Sequence, residues 1–162
     1  MKTMTRLLLI VCLVLPFAAC KKQEAPVAAV KAPLSAPVND DHKAWLEYLS
    51  DVVGRNMTGI QNQPYAYMLP GESTADFKDQ YDRLLEKARS DVARGIIAGN
   101  MLAYGSPASA KMADLVIAAF QGVPAGSMKG VKVLFVGKAA DRERVKAAVA
   151  SAGVDFVFVE AK

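Results

Sequence analysis

The last third of the chain places the strongest constraint on its fold. The stretches "KGVKVLFVGK" (129–138), "AADRERVKAAVASAG" (139–153) and "VDFVFVE" (154–160) follow one another without interruption. In the first, Val131, Val133, Leu134, Phe135 and Val136 form a nearly continuous apolar run. That is the pattern of a strand covered on both faces, because a strand with one wet face alternates instead. The second stretch reads as a helix and the third as another strand. A strand, a helix and a strand in this order fold as a right-handed parallel unit.

The same alternation continues upstream. "QPYAYMLPG" holds a short aromatic-rich strand between Pro64 and the Pro70-Gly71 turn signal. In "STADFKDQYDRLLEKARSDVARG", Phe77, Tyr81, Leu84, Ala88 and Val92 recur at helical spacing, with Ser73 or Thr74 as the expected cap and Gly95 as terminator. A strand is expected near residues 100–104, and Ser106-Pro107 then opens a helix that turns Met112, Val116, Ala119 and Phe120 inward. Ahead of all these, "NDDHKAWLEYLSDVVGRNM" predicts an extra N-terminal helix that buries Trp45, Leu49, Val52 and Val53. The expected fold class is α/β: a small three-layer domain over residues 40–162, with about four mainly parallel strands.

The first residues differ in character. Lys2 and Arg6 precede an apolar stretch at residues 7–17, followed by Ala18, Ala19 and Cys20. This is the layout of a secretory signal, and 11 apolar residues are too few for a spanning helix, which needs about 20. "FAAC" resembles the bacterial lipobox, although Phe17 stands where leucine is usual. The resemblance implies cleavage after residue 19 and lipidation of Cys20, which anchors the chain to a lipid bilayer. Ordinary secretion and an uncleaved anchor are the alternatives. The former is disfavoured by bulky Phe17 at the third position before the cut. Lipidation would leave no disulfide, since Cys12 departs with the signal. Residues 20–39, with Pro26, Pro33 and Pro37, read as the lipidated cysteine and a flexible tether. Lys21 is not the aspartate that resembles an inner-membrane retention signal, so the outer membrane of the bacterial envelope is expected, with the domain facing the periplasm.

Charge excludes one function class. The 20 Lys and Arg against 16 Asp and Glu include Lys2 and Arg6 of the leading segment, and the remaining basic residues are interspersed with acidic ones. Such a pattern offers no stripe for successive phosphates, so no nucleic-acid partner is expected.

Catalytic signatures are sparse. His42 is the only histidine and lies at the junction with the first helix, which leaves a histidine-based triad without a buried base. No metal and no cofactor is expected. Asp76, Asp79 and Asp82 form a carboxylate row that reads as a solvated helix face. The loops following the strands bring Ser73, Gly105, Ser106, Ser109, Gly137 and Lys138 to one sheet edge as candidate ligand-binding residues. Each also has a structural reading, as helix cap or turn residue. Tyr65, Tyr67 and Met68, beside Gln61, Asn62 and Gln63, are candidates for a partner surface, with packing of an edge strand as the alternative. The function expected is that of a noncatalytic envelope module binding an envelope protein or a cell-wall component. A histidine-independent hydrolase using carboxylates or Ser106 and Ser109, or a binder of small anions, is the alternative.

Overall fold

The computed structural model describes residues 32–162. The expected signal segment, Cys20 and the first part of the expected tether lie outside the described residues. In chain order the elements are α1 (His42–Arg55), β1 (Tyr65–Met68), α2 (Phe77–Ala93), β2 (Met101–Gly105), α3 (Ser109–Ala119), β3 (Lys132–Gly137), α4 (Ala139–Ala150) and β4 (Asp155–Glu160).

The four strands lie in the order β1-β2-β3-β4 and every pairing is parallel. Each crossover moves one place in the same direction, so its helix falls on the same face each time. Accordingly α2 packs on α3 and α3 on α4. Below these helices lie Tyr67, Leu102, Tyr104, Val133 and Phe135. The opposite face presents Met101, Ala103, Leu134 and Val136, and α1 covers it with Trp45, Tyr48, Leu49 and Val52. The layers are three helices, a sheet and one helix, and the small α/β domain expected from the sequence is the fold observed. The unbroken apolar run of β3 follows from this, since both of its faces are inside.

Local chemistry sets the ends of the elements. Asp41 caps α1, its Oδ1 accepting from the Ala44 amide at 2.9 Å. At the other end Lys132 Nζ donates to the Asn56 and Thr58 carbonyls, each at 2.8 Å. α2 begins at Phe77 with Asp76 as its cap residue, later than Ser73 or Thr74. The Ser73 hydroxyl instead donates to Asp40 Oδ2 at 3.1 Å, which takes it away from the helix. α3 begins at Ser109, two residues past the Pro107 start.

The domain reaches further toward the N-terminus than residue 40. The Leu34 amide donates to Asp51 Oδ2 at 3.1 Å, and the Ala36 amide to the Lys162 carbonyl at 3.0 Å. Leu34 and Ala36 also pack on the α1 side of the core. No helix among the described residues is long and apolar enough to cross a membrane.

Candidate functional site

All four strands are parallel, so their carboxyl ends share one edge. Met68 is in register with Gly105 and Gly105 with Val136, which brings Gly105-Ser106 and Gly137-Lys138 side by side as the sequence suggested. The edge lacks one feature of ligand-binding α/β sheets. Strand order never reverses, so there is no switch point at which neighbouring loops diverge to open a crevice.

Most polar groups at this edge bind one another. Ser106 is 1% exposed; its Oγ accepts from the Ala108 amide at 2.9 Å and donates to the Pro70 carbonyl at 3.5 Å. Ser109, also buried, donates from Oγ to Asp141 Oδ2 at 2.6 Å and accepts from the Lys138 amide at 2.8 Å. Asp141 takes two further hydrogen bonds from Arg144, Nε at 3.0 Å and an outer nitrogen at 2.8 Å. Arg144 extends the network to Asp114 Oδ1 at 2.5 Å and the Ala110 carbonyl at 2.7 Å. The hydrogen bond Arg144 donates to Asp114 raises the Arg144 pKa above its ordinary value; partial burial opposes this and Asp141 adds to it. A nucleophilic serine needs a free lone pair and a base able to take its proton. Ser109 has one lone pair on Lys138 N–H and its proton on a carboxylate that an arginine already holds.

Both glycines of this edge have a packing reason. A Cβ on Gly105 would lie 2.9 Å from Leu49 Cδ1, and one on Gly137 would lie 2.5 Å from Ser109 Oγ and 2.9 Å from the Phe135 ring. Lys138 stands exposed at the start of α4, and a cleft of about 300 Å³ lined by Val38, Trp45, Ser106, Ser109, Lys138 and Lys162 lies over the edge. Ser73 sits on the same side of the sheet but is tied to Asp40, and takes no part in the Ser109 network.

The aromatic strand separates into two environments. Tyr67 is completely buried, which removes it from the proposed partner surface. Its side chain points beneath α2, where the hydroxyl donates to Asp91 Oδ2 at 2.8 Å and Lys87 Nζ stands 5.1 Å from the ring centroid. Tyr65 and Met68 are half-buried, each packed against one side of the core. Around Tyr65, at the amino end of β1, is a cleft of about 390 Å³ that also takes in Asn62, Gln63, Asn100 and Ile97. Ile97 is 73% exposed.

Sequence reasoning did not single out Asp91. It is 3% exposed and binds Lys87 Nζ at 2.5 Å, the Tyr67 hydroxyl and Arg94. The clue was present: Asp91 lies seven residues after Leu84, on the inward face of the same helix. His42 and the carboxylates Asp76, Asp79 and Asp82 are exposed, and Asp82 pairs with Lys78 at 2.5 Å. Among the described residues no three His, Cys, Asp or Glu side chains are grouped to hold a metal ion.

Comparison of the chain with protein-family models, with curated proteins and with solved structures finds no match.

Proposed function

We propose that the chain is a lipid-anchored protein of the bacterial envelope, held to the outer membrane through Cys20. In this reading its periplasm-facing α/β domain is a noncatalytic interaction module for an envelope protein or a cell-wall component. The observation that carries the noncatalytic reading is the engagement of Ser109, whose donor and acceptor roles are both taken within the fold. Hydroxyls at the carboxyl edge hold loops together here, where a hydrolase or an anion binder would turn them outward. The lipobox-like "FAAC" supports the anchor. The exposed Ile97 beside half-buried Tyr65, with polar Asn62 and Gln63 around them, supports a protein contact surface, since such surfaces are enriched in aromatic residues and have polar rims.

Two measurements test this. Mass spectrometry of the mature protein should find an acylated Cys20 as its first residue, and Cys20→Ser should abolish acylation. A different mature N-terminus would refute the anchor. A photo-crosslinking side chain at position 97 should trap a discrete adduct in living cells, and one at Lys146 should not. Equal labelling from both positions, or none from position 97, would remove the contact surface.

A further inference from the structure

A separate cleft of about 480 Å³ lies between the first half of α2 and α3, within the size range of small-ligand sites. Phe77 and Tyr81, one helical turn apart, stand on one wall with ring centroids 6.4 Å apart and planes tilted by 38°. Both rings are half-buried, resting on the core on one side and open on the other.

The charges around these rings are of both signs and are incompletely paired. Lys78 Nζ meets Asp82 Oδ2 at 2.5 Å, and Arg144 meets Asp114 Oδ1 at 2.5 Å. Each of these carboxylates keeps its second oxygen outside the pair. Lys111 and Glu72, also on the wall, make no ion pair among the described residues. On the wall three carboxylates face two ammonium groups, while the Arg144 guanidinium reaches Asp114 and is shared with Asp141, so both signs line the cleft and neither prevails by more than one charge. A phosphate would meet the three carboxylates, and an organic cation would meet Lys78 and Lys111. A hydroxyl escapes this conflict, because it donates to a carboxylate and accepts from an ammonium, and hydrogen bonds with one charged partner are the stronger kind.

We propose that this cleft binds a neutral saccharide: the C–H face of a pyranose ring lies on Phe77 and Tyr81, and its hydroxyls bridge Asp82, Asp114, Glu72 and Lys111. The inference rests on the reading of the domain as a binding module and is independent of the surface around Ile97. It gives the cell-wall half of that reading a chemical class, a glycan chain.

The test uses the full chain in dodecylphosphocholine micelles, which carry no sugar headgroup. It is titrated with N-acetylglucosamine tetramer and with glucose tetramer up to about 20 mM, a range that captures a Kd of the order of 1 mM. Saturable shifts of the Phe77 and Tyr81 ring resonances with either oligosaccharide are expected. Tyr81→Leu and Lys111→Met should each weaken binding about fivefold, the scale of one aromatic or charged contact. Lys111 is only half-buried and lies on the cleft wall, so its variant reports even if Tyr81→Leu fails to fold. No saturable shift with either sugar overturns the proposal, as does unchanged affinity in Lys111→Met. Comparable shifts from sodium phosphate or tetramethylammonium chloride overturn its selectivity for neutral ligands. In all these cases crosslinking from position 97 would continue to report on the other surface.

Discussion

Tyr67 and Tyr104 stack with ring centroids 4.6 Å apart and planes within 11° of parallel, yet only one of their hydroxyls is hydrogen-bonded. Tyr67 donates to Asp91, whereas the Tyr104 hydroxyl is fully buried without a partner. Equal substitutions should therefore have unequal effects. Tyr67→Phe removes a bond to a buried charge and should cost about 1.5–3 kcal/mol. Tyr104→Phe removes an unsatisfied group and should lie within about 0.5 kcal/mol of the parent or above it. Denaturant titration of both variants decides the matter; equal losses would mean that Tyr104 has a partner.

Acid stability should depend on Asp91. Burial pushes its carboxyl up, but hydrogen bonds from Lys87 and Tyr67, with the charges of Lys87 and Arg94, outweigh this and hold it below the usual carboxylate value. A lowered folded-state pKa gives stability that is present above the unfolded-state value of about 4 and is lost as pH falls through the folded one. Asp91→Asn should therefore be less stable at neutral pH and show a shallower loss below about pH 4. An acid limb of unchanged slope would place the titrating group elsewhere.

At the alkaline end the two tyrosines act in the other direction. Burial, the largest cause, raises both phenols, and the Asp91 charge adds to it. Raised phenols give stability that is complete below an unfolded-state value of about 10 and declines as pH climbs above it. Either Tyr→Phe variant should flatten that decline. Stability measured between about pH 9 and 11 would show it.

The edge network should behave as structure. Ser109→Ala leaves Asp141 and the Lys138 amide each short of a partner, at a cost of about 1–3 kcal/mol. Gly137→Ala would press a methyl against Ser109 Oγ and the Phe135 ring, so it should cost about 1–3 kcal/mol. If either variant keeps parental thermal stability, the network does not clamp the edge.

Leu134 tests the centre of the sheet. It is fully buried under α1 on an interior strand, so Leu134→Ala should cost about 2–5 kcal/mol. A loss of a few tenths in denaturant titration would contradict its central position.

What could be read from the chain depended on how local the cause was. Val131 to Val136 announce β3 because covering both faces of a strand removes its polar positions. The start of α2 was misread because the hydroxyl that decides it, Ser73, bonds to Asp40, 33 residues earlier. Pro33 and Pro37 make the preceding segment look like free tether, yet bonds to the distant Asp51 and Lys162 help bind it down. Tyr67 could not be assigned to a buried face from a strand of four residues whose sides both carry large side chains. At the edge, the juxtaposition of Ser106 and Lys138 followed from parallel topology alone, while the bond between Ser109 and Asp141 needed the packing of α3 on α4.

The single helix on the far face has a consequence for folding. From β1 to β4 each strand can join the one before it, so this part of the fold can grow in the order in which the chain is written. α1 cannot follow that order, because it rests on β2 and β3, and the lysine that fastens its end lies 76 residues downstream of Asn56. Closing so long a loop costs more chain entropy than adding the next strand. The seat of α1 is thus complete only once β3 has joined the sheet, and a sheet without α1 would leave Met101, Leu134 and Val136 facing water together.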